Sequence, residues 1–122
     1  MTMIFHIVSQ AAWKQAEQDR EYRATSLERE GFIHFSTAEQ VVRVANAFYA
    51  GQTDLLLLLV DPDKVSAEVR YEPPAEMPDS GERFPHLYGA LNLDAVTRVV
   101  ALPPDDDGKW SGLPASAVAS ES

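Results

Sequence analysis

Gly31-Phe32-Ile33-His34-Phe35-Ser36-Thr37 is the stretch on which the fold turns. Phe32, His34 and Ser36 alternate with Ile33 and Phe35, the period of a strand with two different faces. Ser36 or Thr37 then supplies an N-cap, and Ser36-Thr37-Ala38-Glu39 fits a capping box. Behind it Val41, Val44, Ala45, Phe48 and Tyr49 fall on one helical stripe, and Gly51 ends the run. The spacing predicts a strand over 32–36 that opens directly into a helix over 37–50.

Outward from this unit, residues 4–8 read as a short strand with Ile4, His6 and Val8 on one face and Phe5 and Ile7 on the other. Ser9 caps a short helix carrying Ala12, Trp13 and Ala16, and residues 26–30 form one helical turn closed by Gly31. Residues 55–60 are apolar at every position, which predicts a central strand covered on both faces. A half-exposed strand is expected over 67–71, a long proline-rich loop over 73–85, a strand-like segment over 86–91 and a last strand over 96–102. The order β-α-β-α-β-β-β is that of an α+β domain with a mixed, mostly antiparallel sheet and two main helices. Residues 1–103 are read as one such domain. Residues 104–122 are rich in Pro, Gly, Ser, Asp and Ala, with Trp110 as their large anchor, and are expected to form a mostly disordered acidic tail.

The 122 residues suffice for one core, and the net charge of −9 argues against nucleic-acid binding through bulk charge and against an anionic membrane surface. No apolar run approaches the roughly 20 residues of a membrane span. The start of the sequence lacks a basic export region, and there is no cysteine. A cytoplasmic location is expected, with oligomeric state left open.

His6, His34 and His86 carry the chemical interest. A strand histidine is more often a structural group with satisfied ring nitrogens than a reacting one, yet near neutral pH it offers both a donor and an acceptor. His34, Ser36 and Thr37 build a polar corner at a helix start, unless the two hydroxyls merely cap. Phe84-Pro85-His86-Leu87-Tyr88-Gly89 adds an aromatic that can stack on a flat ring and a glycine that permits close backbone approach, or else simply packs a loop-to-strand junction. No phosphate loop, dinucleotide fingerprint or zinc-protease motif occurs. No metal is expected, although three dispersed histidines leave that alternative standing.

Ile4-Phe5-His6-Ile7, the heptad 31–37, Ala45-Asn46-Ala47-Phe48-Tyr49, Tyr71-Glu72 and Phe84-Pro85-His86-Leu87-Tyr88-Gly89-Ala90-Leu91-Asn92 together resemble the domain-of-unknown-function 952 family of small bacterial and plant proteins, over residues 3–102. That family in turn resembles, distantly, the ADP-ribosyltransferase superfamily. The resemblance implies an ADP-ribosyltransferase-like fold that binds NAD or a related nucleotide, with or without ADP-ribosyl transfer. By position it implies His6 as the group that grips the NAD ribose and His34 with Ser36 and Thr37 as the second motif. Glu72 would supply the catalytic carboxylate, with His86, Tyr88 and Asn92 as competitors for the third motif and as ligand-binding groups. Two other readings stay open. One is a non-catalytic ligand-binding or protein-interaction module, the other a histidine-based hydrolase, with or without metal assistance.

Overall fold

The computed structural model describes residues 2–74 and 78–118. The chain runs β1 (Ile4–Ser9), α1 (Gln10–Asp19), β2 (Glu21–Tyr22), α2 (Thr25–Glu30), β3 (Ile33–His34), α3 (Ala38–Phe48), β4 (Leu55–Val60), β5 (Val69–Glu72), β6 (Phe84–Leu87), β7 (Leu91–Asn92), a 3₁₀ turn (Leu93–Ala95), β8 (Val96–Ala101) and α4 (Ala115–Val118). The α+β class is as expected, but the single mixed sheet is not. Three small sheets form instead, in the orders β1-β4-β8, β2-β7 and β3-β6-β5, and every strand pairing among the described residues is antiparallel. A bridge between Phe5 and Ser36, two backbone bonds of 2.8 Å, ties the first sheet to the chain leaving β3.

The uniformly apolar β4 lies at the centre of the first sheet, where both faces are covered. Leu58 and Val60 join Ile4, Val8, Tyr22, Ile33, Phe35 and Leu87 in one core. Leu55, Leu57 and Leu59 join Phe5, Ile7, Val41 and Ala45 in a second core on the opposite face. The alternation in β1 therefore sends Ile4, His6 and Val8 toward the first core and Phe5 and Ile7 toward α3.

Two local expectations shift. The capping box of α3 is built one residue later, on Thr37, whose backbone N–H donates to Gln40 Oε1 at 3.0 Å. This frees Ser36, buried, to pair its backbone with Phe5. Gly89 has a packing role. A Cβ there would lie 2.6 Å from Ala67 Cβ, so the glycine serves close packing of β6's exit against residue 67.

The expected disordered tail is instead folded as far as Val118. Trp110 is buried in the second core, its indole N–H donating to Leu102 O, while Asn46 of α3 brackets its backbone with bonds of 2.7 and 2.8 Å. The acidic run 105–107 closes a turn at Gly108, whose φ of 80° suits glycine, and Gly108 O accepts from Gly51 N–H. One large aromatic buries enough apolar area to dock a segment that composition alone assigns to solvent. Residues 119–122 lie outside the described residues, as do 75–77 of the expected long loop.

Candidate functional site

The third sheet makes the site through its register. His34 of β3 stands directly opposite His86 of β6, and Arg70 of β5 stands opposite His86 on the other side. Directly opposed residues share a face of an antiparallel sheet, and residues two positions along share it too. Phe32, His34, Phe84, His86, Tyr88, Arg70 and Glu72 therefore occupy one face, while Ile33 and Leu87 turn to the core.

His86 is almost fully buried, and its ring stacks on Phe32 with centroids 4.0 Å apart. Its Nδ1–H donates to Glu72 Oε1 at 2.8 Å. The Tyr88 hydroxyl donates to the same oxygen at 2.5 Å, and the Arg70 guanidinium lies over the Tyr88 ring. The Tyr88 hydroxyl first, and His86 second, hold Glu72 below the usual carboxylate range, and the same bond pushes Tyr88 up. With Nδ1–H on a carboxylate, His86 Nε2 is left as the free nitrogen, without a hydrogen-bond partner among the described residues.

His34 is half exposed and bonds through Nε2 to Glu30 Oε2 at 2.9 Å. Gly31, at φ 91°, ends α2 and turns the chain so that the last residue of the helix comes beside the second residue of β3. The His34 and His86 rings meet edge to face, 5.4 Å apart.

His6 has a different role. Its Nδ1 lies 2.6 Å from the His34 carbonyl oxygen, which can only accept, so Nδ1 carries the proton. Its Nε2 then accepts from the Tyr22 hydroxyl at 2.9 Å. Burial lowers the ring's pKa to about 4 and raises Tyr22 to about 12. Both nitrogens are engaged inside the protein, so His6 braces β3 rather than offering a free group.

These residues border one cavity of about 630 Å³, within the range of small-molecule sites. His6, His34, Ser36 and His86 line it together with Arg29, Glu30 and Ser26 from α2, Phe48 and Tyr49 from the end of α3, and Phe84. The other expected site residues do not line it. Thr37 caps α3. Glu72 and Tyr88 stand behind His86. Asn92 is a structural tie, accepting from Ser66 N–H and donating to Lys64 O and Asp94, because it must join β7 to the 61–66 turn. Tyr22, Arg29 and Glu30 are the site groups that sequence reasoning passed over. Glu30 four residues before His34 across a glycine was the one local signal. The described residues contain no group of three or more His, Asp or Glu side chains placed to hold a metal ion. No described helix is long and apolar enough to cross a membrane.

The family model described as protein of unknown function DUF952 matches residues 7–99. The chain belongs to this family. The crystal structure of protein CC0527 from Caulobacter crescentus is similar, with 34% identity, a TM-score of 0.79, and coverage of 88% of this chain and 92% of that one. The solution NMR structure of CC0527 gives a TM-score of 0.76 at the same identity, covering 91% and 93%. No curated protein matches the chain. The DUF952 fold thus brings an architecture with it but no assigned activity, and the histidine-lined cavity must speak through its own chemistry.

Proposed function

We propose that the cavity binds NAD or a related nucleotide, with His34 and His86 facing the ligand. The observation that carries this reading is the convergence of two carboxylate-paired histidines, opposed across β3 and β6, on one cavity of nucleotide size. Phe48, Tyr49 and Phe84 offer an aromatic wall for a base, and Arg29 and Ser26 offer donors for phosphate or ribose oxygens. Ribosyl transfer receives less support than binding. That reaction develops positive charge on the ribose and wants a carboxylate facing it. Glu72 faces His86 instead, and Glu30 is engaged by His34.

The test is a thermal-shift screen over NAD, ADP-ribose and nucleoside mono- and diphosphates. A ligand at a hundred times its Kd stabilises by about 2.7 kcal/mol, a shift of several degrees. We expect at least one nucleotide to do so with wild-type protein and not with His34→Ala. An unmoved melting temperature across the panel at millimolar concentrations refutes the nucleotide reading.

A further inference from the structure

We infer that His34 and His86 are an acid–base pair for hydrolysis of a P–O bond in a nucleotide phosphodiester, with Arg29 as the group that recognises the phosphate. This rests on the nucleotide reading of the same cavity and goes beyond it to the reaction.

The geometry of the two rings is reciprocal. His86 is held at Nδ1 by Glu72, so its Nε2 is free, and His34 is held at Nε2 by Glu30, so its Nδ1 is free. A carboxylate at one nitrogen fixes the ring's orientation, leaving the other nitrogen to take or give a proton. Two such rings 5.4 Å apart can work in opposite protonation states on one substrate. The cavity offers no cysteine, and none of the hydroxyls of Thr25, Ser26, Ser36 and Tyr49 is hydrogen-bonded to a histidine as a side-chain nucleophile would be. With both histidines assigned to proton transfer, the nucleophile is water. A reaction in which water must lose a proton on attack and an alcohol must gain one on leaving uses both histidines and nothing else.

The charge of the cavity names the electrophile. Among the described residues lining it, Arg29 is the single Lys or Arg, and it takes no ion pair. In a chain of net charge −9 an uncompensated guanidinium on a cavity wall suits an anionic ligand, and its planar fork matches phosphate oxygens. Arg29 and Ser26 lie on the α2 side and Phe48 and Tyr49 on the α3 side, with the histidines also on the cavity wall. A nucleotide can be held at both ends with its ester bond over the rings. In the step, one histidine takes a proton from water as the new O–P bond forms. The P–O bond to the departing alcohol breaks, and the other histidine gives its proton to that oxygen. The products are a nucleoside monophosphate and an alcohol, with one water consumed, and the two protons re-equilibrate through solvent.

The experiment uses two esters of one nucleoside 5′-phosphate, p-nitrophenyl and methyl. We expect turnover of both, with a bell-shaped pH dependence of kcat/KM. His34→Gln and His86→Gln each lower hydrolysis of the methyl ester by about 10²- to 10⁴-fold. With the p-nitrophenyl ester, whose anion departs without a proton, one of the two losses largely disappears, which identifies the acid. Arg29→Ala raises KM by about tenfold or more. Melting curves check that the variants fold. Should the buried His86 variant not fold, the half-exposed His34 variant and the wild-type pH profile decide. Nucleotide binding without hydrolysis of either ester overturns this inference and leaves the nucleotide reading intact, whereas absence of both binding and hydrolysis overturns both. Full turnover in a folded histidine variant also overturns it.

Discussion

His6 shows how the same residue type can sit in one site with opposite duties. It lines the cavity, yet the His34 carbonyl and the Tyr22 hydroxyl take up both its nitrogens. Its pKa falls from 6.5 to about 4, chiefly because burial disfavours the charged ring. The sign of the consequence follows. Between those two values the unfolded chain binds a proton that the folded chain refuses, so stability is full above about pH 6.5 and is lost as pH falls toward 4. The loss amounts to roughly 3 kcal/mol. Glu68, Glu72 and Glu82, held low by their partners, lose their contributions only as pH drops below the ordinary carboxylate range, a separate window. Denaturant titrations between pH 4 and 7 should therefore show a slope in wild type that is much reduced in His6→Gln. An equal slope in both would mean that His6 titrates freely. The strand position of His6 was legible from alternation alone. Its role was not, because Tyr22 lies 16 residues away and nothing local announces the contact.

Strands and helices were legible wherever an apolar period ran long enough. The stripe of α3 and the unbroken apolar run of β4 both stand where the pattern placed them. Leu57, fully buried in β4 between β1 and β8, should cost about 2–5 kcal/mol on substitution by alanine. Chemical denaturation measures this directly, and a loss below about 0.5 kcal/mol would place the strand at an edge or against a second chain. Pairing was not legible. The register that sets His34 against His86 depends on β6 returning after the long loop, a non-local fact, whereas the Gly31 turn that ends α2 was legible. The two-residue strands β2 and β7 are too short to show a period, and pairing partners leave no mark in alternation, which is why one sheet was expected where three exist.

Composition misled over the C-terminal segment for a physical reason. Low hydropathy summed over a window hides a single Trp, but a side chain of that size buried at 6% exposure, joined in the second core by Ala117 and Leu113, can anchor a loop. Trp110→Ala should cost about 3–5 kcal/mol, and ending the chain after Pro104 should lower the melting temperature by at least several degrees. Calorimetry on the two variants checks this, and unchanged melting would show that 105–118 contributes nothing to the fold. The segment matters to the site as well, since Asn46 and Gly51, which it grips, flank Phe48 and Tyr49 on the cavity wall. Between the two cores, then, the molecule holds α3 from behind and the histidine sheet from the side, and the cavity lies where they meet. The most direct test of that account is the long-range ¹H–¹⁵N spectrum of the three histidine rings at pH 7, recorded during titration with the nucleotide that binds best. The account predicts that His34 and His86 signals shift on binding, while His6 keeps the pattern of a neutral ring protonated at Nδ1 throughout. Movement of His6 to a charged form, or binding that leaves the His34 and His86 rings unchanged, would contradict it.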